Sequence, residues 1–143
     1  MLHKYLFCNN SEQKLARHIM QVYPHEGCGI LLGRGVRIEK IKPADNLVTD
    51  EDGRTHFKMD PLTIYKEEAE AQKEGLEVIG FYHSHPDRRA ILSKTDEEYM
   101  IPEMLYIVVS VTMGAVREIK AYYRNAPDGR ITETEIAKEE IKN

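Results

Sequence analysis

Two histidines, His83 and His85, stand two positions apart at the end of the apolar run Leu76-Glu77-Val78-Ile79-Gly80-Phe81-Tyr82. In a β-strand, residues i and i+2 point to the same face, so two imidazoles at this spacing can be presented to one point. Asp96 follows eleven positions after His85, on what reads as the first turn of a short helix opened by Ser93. Two histidines and one carboxylate form a three-ligand set that suits zinc. They leave the fourth tetrahedral position for water, which is the arrangement of a catalytic rather than a structural zinc. Hydrolysis there needs a second carboxylate to take a proton from water and hand it to the leaving amine. Asp96 cannot do this as a ligand, and Glu26 is the candidate. A donor is also needed for the developing oxyanion, and Ser93 offers a hydroxyl one helical turn before Asp96.

The elements that must position these groups can be read from pattern. Residues 2–8 read as a strand, and Asn10 or Ser11 can cap a helix to about Val22 with Leu15, Ile19 and Val22 on one face. Pro24 ends it, which leaves Glu26 in a helix-to-strand loop. Cys28–Leu32 and Val36–Ile41 read as strands, Lys42–Gly53 as a polar loop and Thr55–Met59 as a further strand. Asp60-Pro61 is a strong helix start, and Gly75 is placed to end that helix after Glu74. Strand Val78–His83 carries the histidines. Leu105–Val111, Glu118–Tyr123 and Ile131–Ala137 read as three antiparallel neighbours, turned at Met113-Gly114 and Pro127-Asp128-Gly129. This order predicts a single α/β domain over residues 1–143, a mixed β-sheet with flanking helices.

Each chemical reading has a plainer one beside it. His83 and His85 could be a strand-face pair satisfied by hydrogen bonds. Ser93 and Asp96 could be no more than a helix N-cap with an acidic residue in the first turn. Glu26 could be a solvated loop carboxylate. Cys28 could add a ligand, although a small strand residue is the simpler reading. His25 reads as an exposed loop residue, while His3, His18 and His56 read as structural or exposed. Arg88 and Arg89 could bind an acidic substrate surface or simply be solvated.

Composition narrows the classes. With 143 residues, 41% apolar and 31% charged, the chain fits one globular core. The net charge of −4 gives no support for nucleic-acid binding. No apolar run reaches the roughly 20 residues of a membrane span, and the first residues turn polar too quickly for a secretory signal. Two cysteines do not make a disulfide framework, so a cytoplasmic location is expected.

The pattern H-x-H-x7-S-x2-D, with Pro86 after the second histidine and Glu26 upstream in Glu26-Gly27-Cys28-Gly29, resembles the JAMM (MPN+) metalloproteases. The resemblance runs from the first helix to strand Glu118–Tyr123. It is greatest to the small stand-alone prokaryotic type, some members of which process ubiquitin-like sulfur carriers. It implies the JAMM/MPN fold, a cytidine-deaminase-like architecture. It implies one zinc per chain on His83, His85 and Asp96, with Glu26 and Ser93 as the catalytic residues. The implied reaction is hydrolysis of the peptide or isopeptide bond after the C-terminal glycines of a ubiquitin-like protein of the sulfur-carrier type. The partner would then present a glycine-rich tail, which could add as a strand on an exposed sheet edge. Neither nucleic acid nor membrane is expected as a partner, and a homo-oligomer is allowed. Two other readings stand beside this one: a non-catalytic MPN scaffold, and a hydrolase of another amide. Little room exists for the insertions that hold polyubiquitin.

Overall fold

The computed structural model describes residues 4–140. In chain order the elements are β1 (Lys4–Phe7), α1 (Ser11–Val22), β2 (Cys28–Arg34), β3 (Arg37–Ala44), a 3-10 turn (Glu51–Arg54), α2 (Pro61–Lys73), β4 (Glu77–Pro86), α3 (Lys94–Glu98), β5 (Leu105–Thr112), β6 (Ala115–Arg124) and β7 (Ile131–Lys138). The seven strands join as β1-β3-β2-β4-β5-β6-β7, and β1 pairs with β7 to close the ring.

This closure overturns the expected α/β arrangement of a mixed sheet with flanking helices. Strand directions are indeed mixed, since β1–β3, β1–β7 and β4–β5 are parallel and the other pairs antiparallel. The sheet is nevertheless a closed, mostly β barrel with only three α-helices among the described residues. The cause is the short strand β1, which pairs with β3 at Leu6 and Phe7 and with β7 from Lys4 to Phe7. Every strand therefore has a neighbour on both sides over part of its length, although β1 reaches β3 only at Arg37 and Ile38 and Lys40–Ala44 of β3 pair with β2 alone.

Alternation along the strands builds the core. Leu31 of β2, Ile38 and Ile41 of β3, and Ile107 and Val109 of β5 join Leu15 and Ile19 of α1 in one buried cluster. Burying Leu15 and Ile19 contributes ~1.5–3 kcal/mol apiece. The opposite face of β2, Ile30 and Leu32, packs with Ala71 at the end of α2. On the first face Gly29 makes room for Tyr82, because a Cβ there would fall on its ring. Strand β4 carries a bulge: Leu31 pairs with Gly80 but Leu32 pairs with Val78, leaving Ile79 as the extra residue. The bulge shifts the phase of β4 just before the histidines. Tyr82 faces the α1 side, where its hydroxyl lies 2.7 Å from His18 Nδ1.

Two local expectations change. Asn10 stands at the start of α1 in the left-handed region, φ 61°, but its side chain makes no cap. Ser11 does not cap either, and its hydroxyl donates to the Ile38 carbonyl at 3.0 Å. Residues 55–59 form no strand. Their backbone groups are taken instead by the Asn46 side chain, which reaches the His56 carbonyl and the Lys58 N–H. At α2 the reading holds: the Asp60 carboxylate accepts from Leu62 N–H at 3.0 Å, and Gly75 with φ 73° ends the helix. Residues 2 and 3, and with them His3, lie outside the described residues.

Candidate metal centre

β4 presents Phe81, His83 and His85 to one side and Tyr82 and Ser84 to the other, as the period of a strand requires. His83 and His85 are both buried. Their Nε2 atoms lie 3.2 Å apart, and Asp96 Oδ2 lies 3.1 Å from each. The three predicted ligand atoms therefore form a nearly equilateral triangle.

Each corner is held from behind. His85 Nδ1 lies 2.9 Å from the Arg89 carbonyl, and a carbonyl can only accept, so Nδ1 carries the hydrogen and Nε2 is a bare acceptor. The loop that supplies this carbonyl is strapped to the barrel. Asp87 N–H donates to Val111, Ser110 Oγ to the Arg88 carbonyl, and Tyr122 OH to the Ala90 carbonyl. Glu118 accepts from Ala90 N–H and pairs with Arg89. His83 is stacked under the Phe57 ring, with centroids 4.8 Å apart and planes 25° from parallel. Asp96 is fixed by a reciprocal cap: its Oδ2 accepts from Ser93 N–H at 2.9 Å, and Ser93 Oγ accepts from Asp96 N–H at 3.0 Å. Ser93 is thus a helix cap, as the plainer reading had it. Accepting that bond leaves its hydroxyl hydrogen available.

Glu26 is buried, not a solvated loop carboxylate. It follows a cis Tyr23–Pro24 peptide and precedes β2. Its neighbour Gly27 is pinned to the histidine strand, because Gly27 N–H donates to Ser84 Oγ at 2.7 Å and Ser84 N–H donates to the Gly27 carbonyl at 2.9 Å. Glu26, His83 and His85 offer ligand atoms within 4.8 Å of one another, so Glu26 belongs to the same cluster. Its Oε2 accepts from Arg88 Nη2 at 2.9 Å. Arg88 therefore has a role inside the site that its loop position did not announce. Burial pushes the Glu26 carboxyl above its ordinary range, and His83 and Arg88 offset part of that rise.

Two carboxylates compete as the third member of the cluster. The Asp96 triangle has edges of 3.1–3.2 Å. A tetrahedral ion with ligand bonds of about 2.0–2.1 Å has ligand-to-ligand edges of about 3.3 Å. Glu26 is looser and is already engaged by Arg88, so Asp96 fits a ligand position better and Glu26 fits a place beside it. The chemistry of the donors points the same way. A bare imidazole nitrogen and a carboxylate oxygen converge with a second imidazole, which is an arrangement of acceptors that a cation satisfies. Burial alone would raise the Asp96 carboxyl. In the metal-free protein a proton on the facing ring nitrogens lets His83 and His85 donate to Asp96, and those bonds, with that from the Ser93 N–H, outweigh burial and hold the carboxyl well below the usual range.

The remaining candidates fall away. The buried Cys28 thiol faces the Ala44 and Asp45 carbonyls, and burial, with the Glu26 charge, pushes its pKa up to about 12. It stays a protonated strand residue. Cys8 is also free and buried. Asp87 is exposed and accepts from the Tyr23 hydroxyl at 2.7 Å. The triangle opens into a cavity of about 780 Å³, polar at Glu26, Ser93 and Asp96 and apolar toward Met59, Ile64 and Tyr106.

The model of prokaryotic homologs of the JAB domain matches residues 9–125. The chain belongs to this family. Among curated proteins, it is 33% identical over 79 residues to a probable TtuB-protein conjugate cleaving protease of Thermus thermophilus, covering 55% of this chain and 51% of that protein. It is 37% identical over 75 residues to a desampylase of Pyrococcus furiosus, covering 52% of this chain and 51% of that one. The chain spans about half the length of these two relatives. Among solved structures, a solution structure of a Desulfitobacterium hafniense protein superposes with a TM-score of 0.79 at 27% identity, covering 96% of this chain and 94% of that one. As a prokaryotic JAB-domain protein the chain carries a candidate metal-binding group, and no helix among its described residues is long and apolar enough to cross a membrane.

Proposed function

We propose that this JAB-domain protein is a zinc-dependent peptidase or isopeptidase, cutting after the C-terminal glycines of a ubiquitin-like protein of the sulfur-carrier type. The observation that carries the reading is the 3.1–3.2 Å triangle of His83 Nε2, His85 Nε2 and Asp96 Oδ2, with the buried Glu26 carboxylate beside it. The relatives named for conjugate cleavage and as a desampylase support the substrate class.

In this reading His83, His85 and Asp96 hold the ion. A zinc held there would supply a water with its pKa lowered toward about 7 and a Lewis acid for the scissile carbonyl. Glu26 then takes the proton of the attacking water and returns it to the leaving amine. Arg88 donates to Oε2 and so steadies the carboxylate beside the histidines. A carboxyl raised by burial is better matched to both halves of that task than a fully solvated one. Ser93 Oγ, already steadied by the Asp96 N–H, donates its hydroxyl hydrogen to the oxyanion. The apolar reach of the cavity around Met59, Ile64 and Tyr106 takes the substrate chain leading to the glycines.

The test is to incubate the purified protein with a ubiquitin-like carrier joined through its terminal glycine to a lysine and to weigh the products. Free carrier ending in glycine is expected, with cleavage stopped by a chelator and restored by zinc. An intact conjugate at full zinc loading would overturn the proposal.

A further inference from the structure

Asn46 follows β3 and bonds the backbone of two segments that line the cavity, at Glu26 and at His56 and Lys58. Its side-chain amide makes four hydrogen bonds. Nδ2 donates to the Glu26 carbonyl at 3.1 Å and the His56 carbonyl at 3.0 Å. Oδ1 accepts from Val48 N–H at 2.9 Å and Lys58 N–H at 3.1 Å. An asparagine has two amide hydrogens and two oxygen lone pairs to offer, so all of its capacity is used. Only one orientation is possible. Turned over, the NH2 would face two N–H donors and the oxygen would face two carbonyls.

The four bonds act on two things at once. The Glu26 carbonyl is held by Asn46, and the Glu26 N–H donates to Gly53 in the same loop at 2.6 Å. Glu26 lies before β2, so neither polar group of its backbone is held by a strand ladder. The His56 carbonyl and the Lys58 N–H lie on either side of Phe57, whose ring stacks on His83. One amide thus ties the segment of the second carboxylate to the segment that covers a predicted ligand.

We infer that Asn46 is the positioning residue of this site: its amide sets Glu26 at the reacting point and seats Phe57 on His83. The inference rests on the peptidase reading for its kinetic consequence but not for its structural one. Asn46 touches no reacting atom and works through Glu26. Losing it should misplace the proton carrier by a fraction of an ångström to an ångström, a displacement that can cost about 10²-fold in rate.

The experiment compares the parent, Asn46→Ala and Asn46→Asp, each with Glu26 intact and with Glu26→Gln. Asn46→Asp keeps the shape but sets an oxygen against two carbonyls, and it carries the same prediction should Asn46→Ala fail to fold. Amide hydrogen exchange on the metal-free proteins comes first. Exchange at Glu26, Val48 and Lys58 should quicken by roughly tenfold or more, while the β5 amides stay protected. Unchanged exchange at these three amides would overturn the inference. Single-turnover cleavage of the lysine conjugate comes second. With Glu26 present, the rate should fall about 10- to 10²-fold, with KM within about twofold and zinc content unchanged. With Glu26→Gln, the same Asn46 change should cost less than about twofold, since the carrier it positions is already gone. An equal cost in both backgrounds would mark Asn46 as a general scaffold residue and sink the positioning role. If the parent cleaves nothing, the peptidase reading falls, and the exchange result alone decides whether Asn46 holds Glu26.

Discussion

The site draws on two regions built in opposite ways. On β4 the histidines are set by a ladder: His83 pairs with Cys28 on one side and Val108 on the other, and His85 pairs with Ser110. Residues 45–60 have no ladder and owe their shape to side chains, above all Asn46. Glu26 lies between the two, clamped by Ser84 of β4 through Gly27 and by Asn46 and Gly53 of the irregular segment. Groups that must keep a fixed triangle stand on the rigid element and a capped helix turn. The group that must move a proton stands where position depends on a few individual bonds.

Breaking the rigid half should have the largest effect. His83→Ala, His85→Ala and Asp96→Ala should each lose stoichiometric zinc and all measurable cleavage, read by metal analysis and product mass; full zinc in all three would remove the triangle from the account. Glu26→Gln sharpens the contrast. It should keep zinc and substrate affinity but turn over roughly 10²–10⁴-fold more slowly, and normal turnover would take Glu26 out of the mechanism. Ser93→Ala tests a residue with a foot in each role. A loss of about 10²-fold in rate is expected from the missing oxyanion donor, together with about 1 kcal/mol from the missing cap; kinetics and melting of one preparation separate them, and a stable, fully active variant would leave no catalytic part for the hydroxyl.

Ser84→Ala loosens the link between the halves. It leaves the buried Gly27 N–H without its acceptor, at a cost of about 1–3 kcal/mol, read as a lower Tm with zinc retained. An unchanged Tm would deny the clamp. The smallest effect lies on the other face of β4, where His18 meets the Tyr82 hydroxyl. Burial holds His18 below its ordinary value, with Asp45 opposing weakly. The unfolded chain, titrating near 6.5, therefore binds more protons just below that pH, and His18 favours the fold above it and loses that contribution as pH falls. The Tm of His18→Gln should drop less than the parent's between pH 7.5 and 5.5, and parallel curves would contradict this.

What the sequence made legible follows the same division. His83, His85, Ser93 and Asp96 could be found because a strand period and a helix cap are local rules. The three strands from Leu105 to Lys138 could be read from their alternation and turns. Glu26 could be named but not placed, since its burial depends on Gly53, Ser84 and Arg88, all far along the chain. The strand expected at residues 55–59 failed because Asn46 claims the backbone groups a ladder would use. An asparagine soon after a strand and before an aromatic residue was the only available signal, and it is a weak one. Barrel closure was invisible for a different reason. It rests on a four-residue strand that could be read as a strand but whose partner β7 lies across the length of the chain, where no local rule reaches.

That pairing governs how the molecule comes together. Lys4 meets Glu135, so the first strand made must wait for the last. Strands β2 to β6 can assemble from turns and near neighbours, but bringing two remote segments together carries the loop-closure entropy that slows folding. Until β7 arrives, the partly built sheet presents two open strands, one beside β3 and one beside β6, which are surfaces prone to pair with other chains. The ring that shortens the open edges of the finished protein therefore concentrates its exposure to aggregation in the interval before the final strand docks.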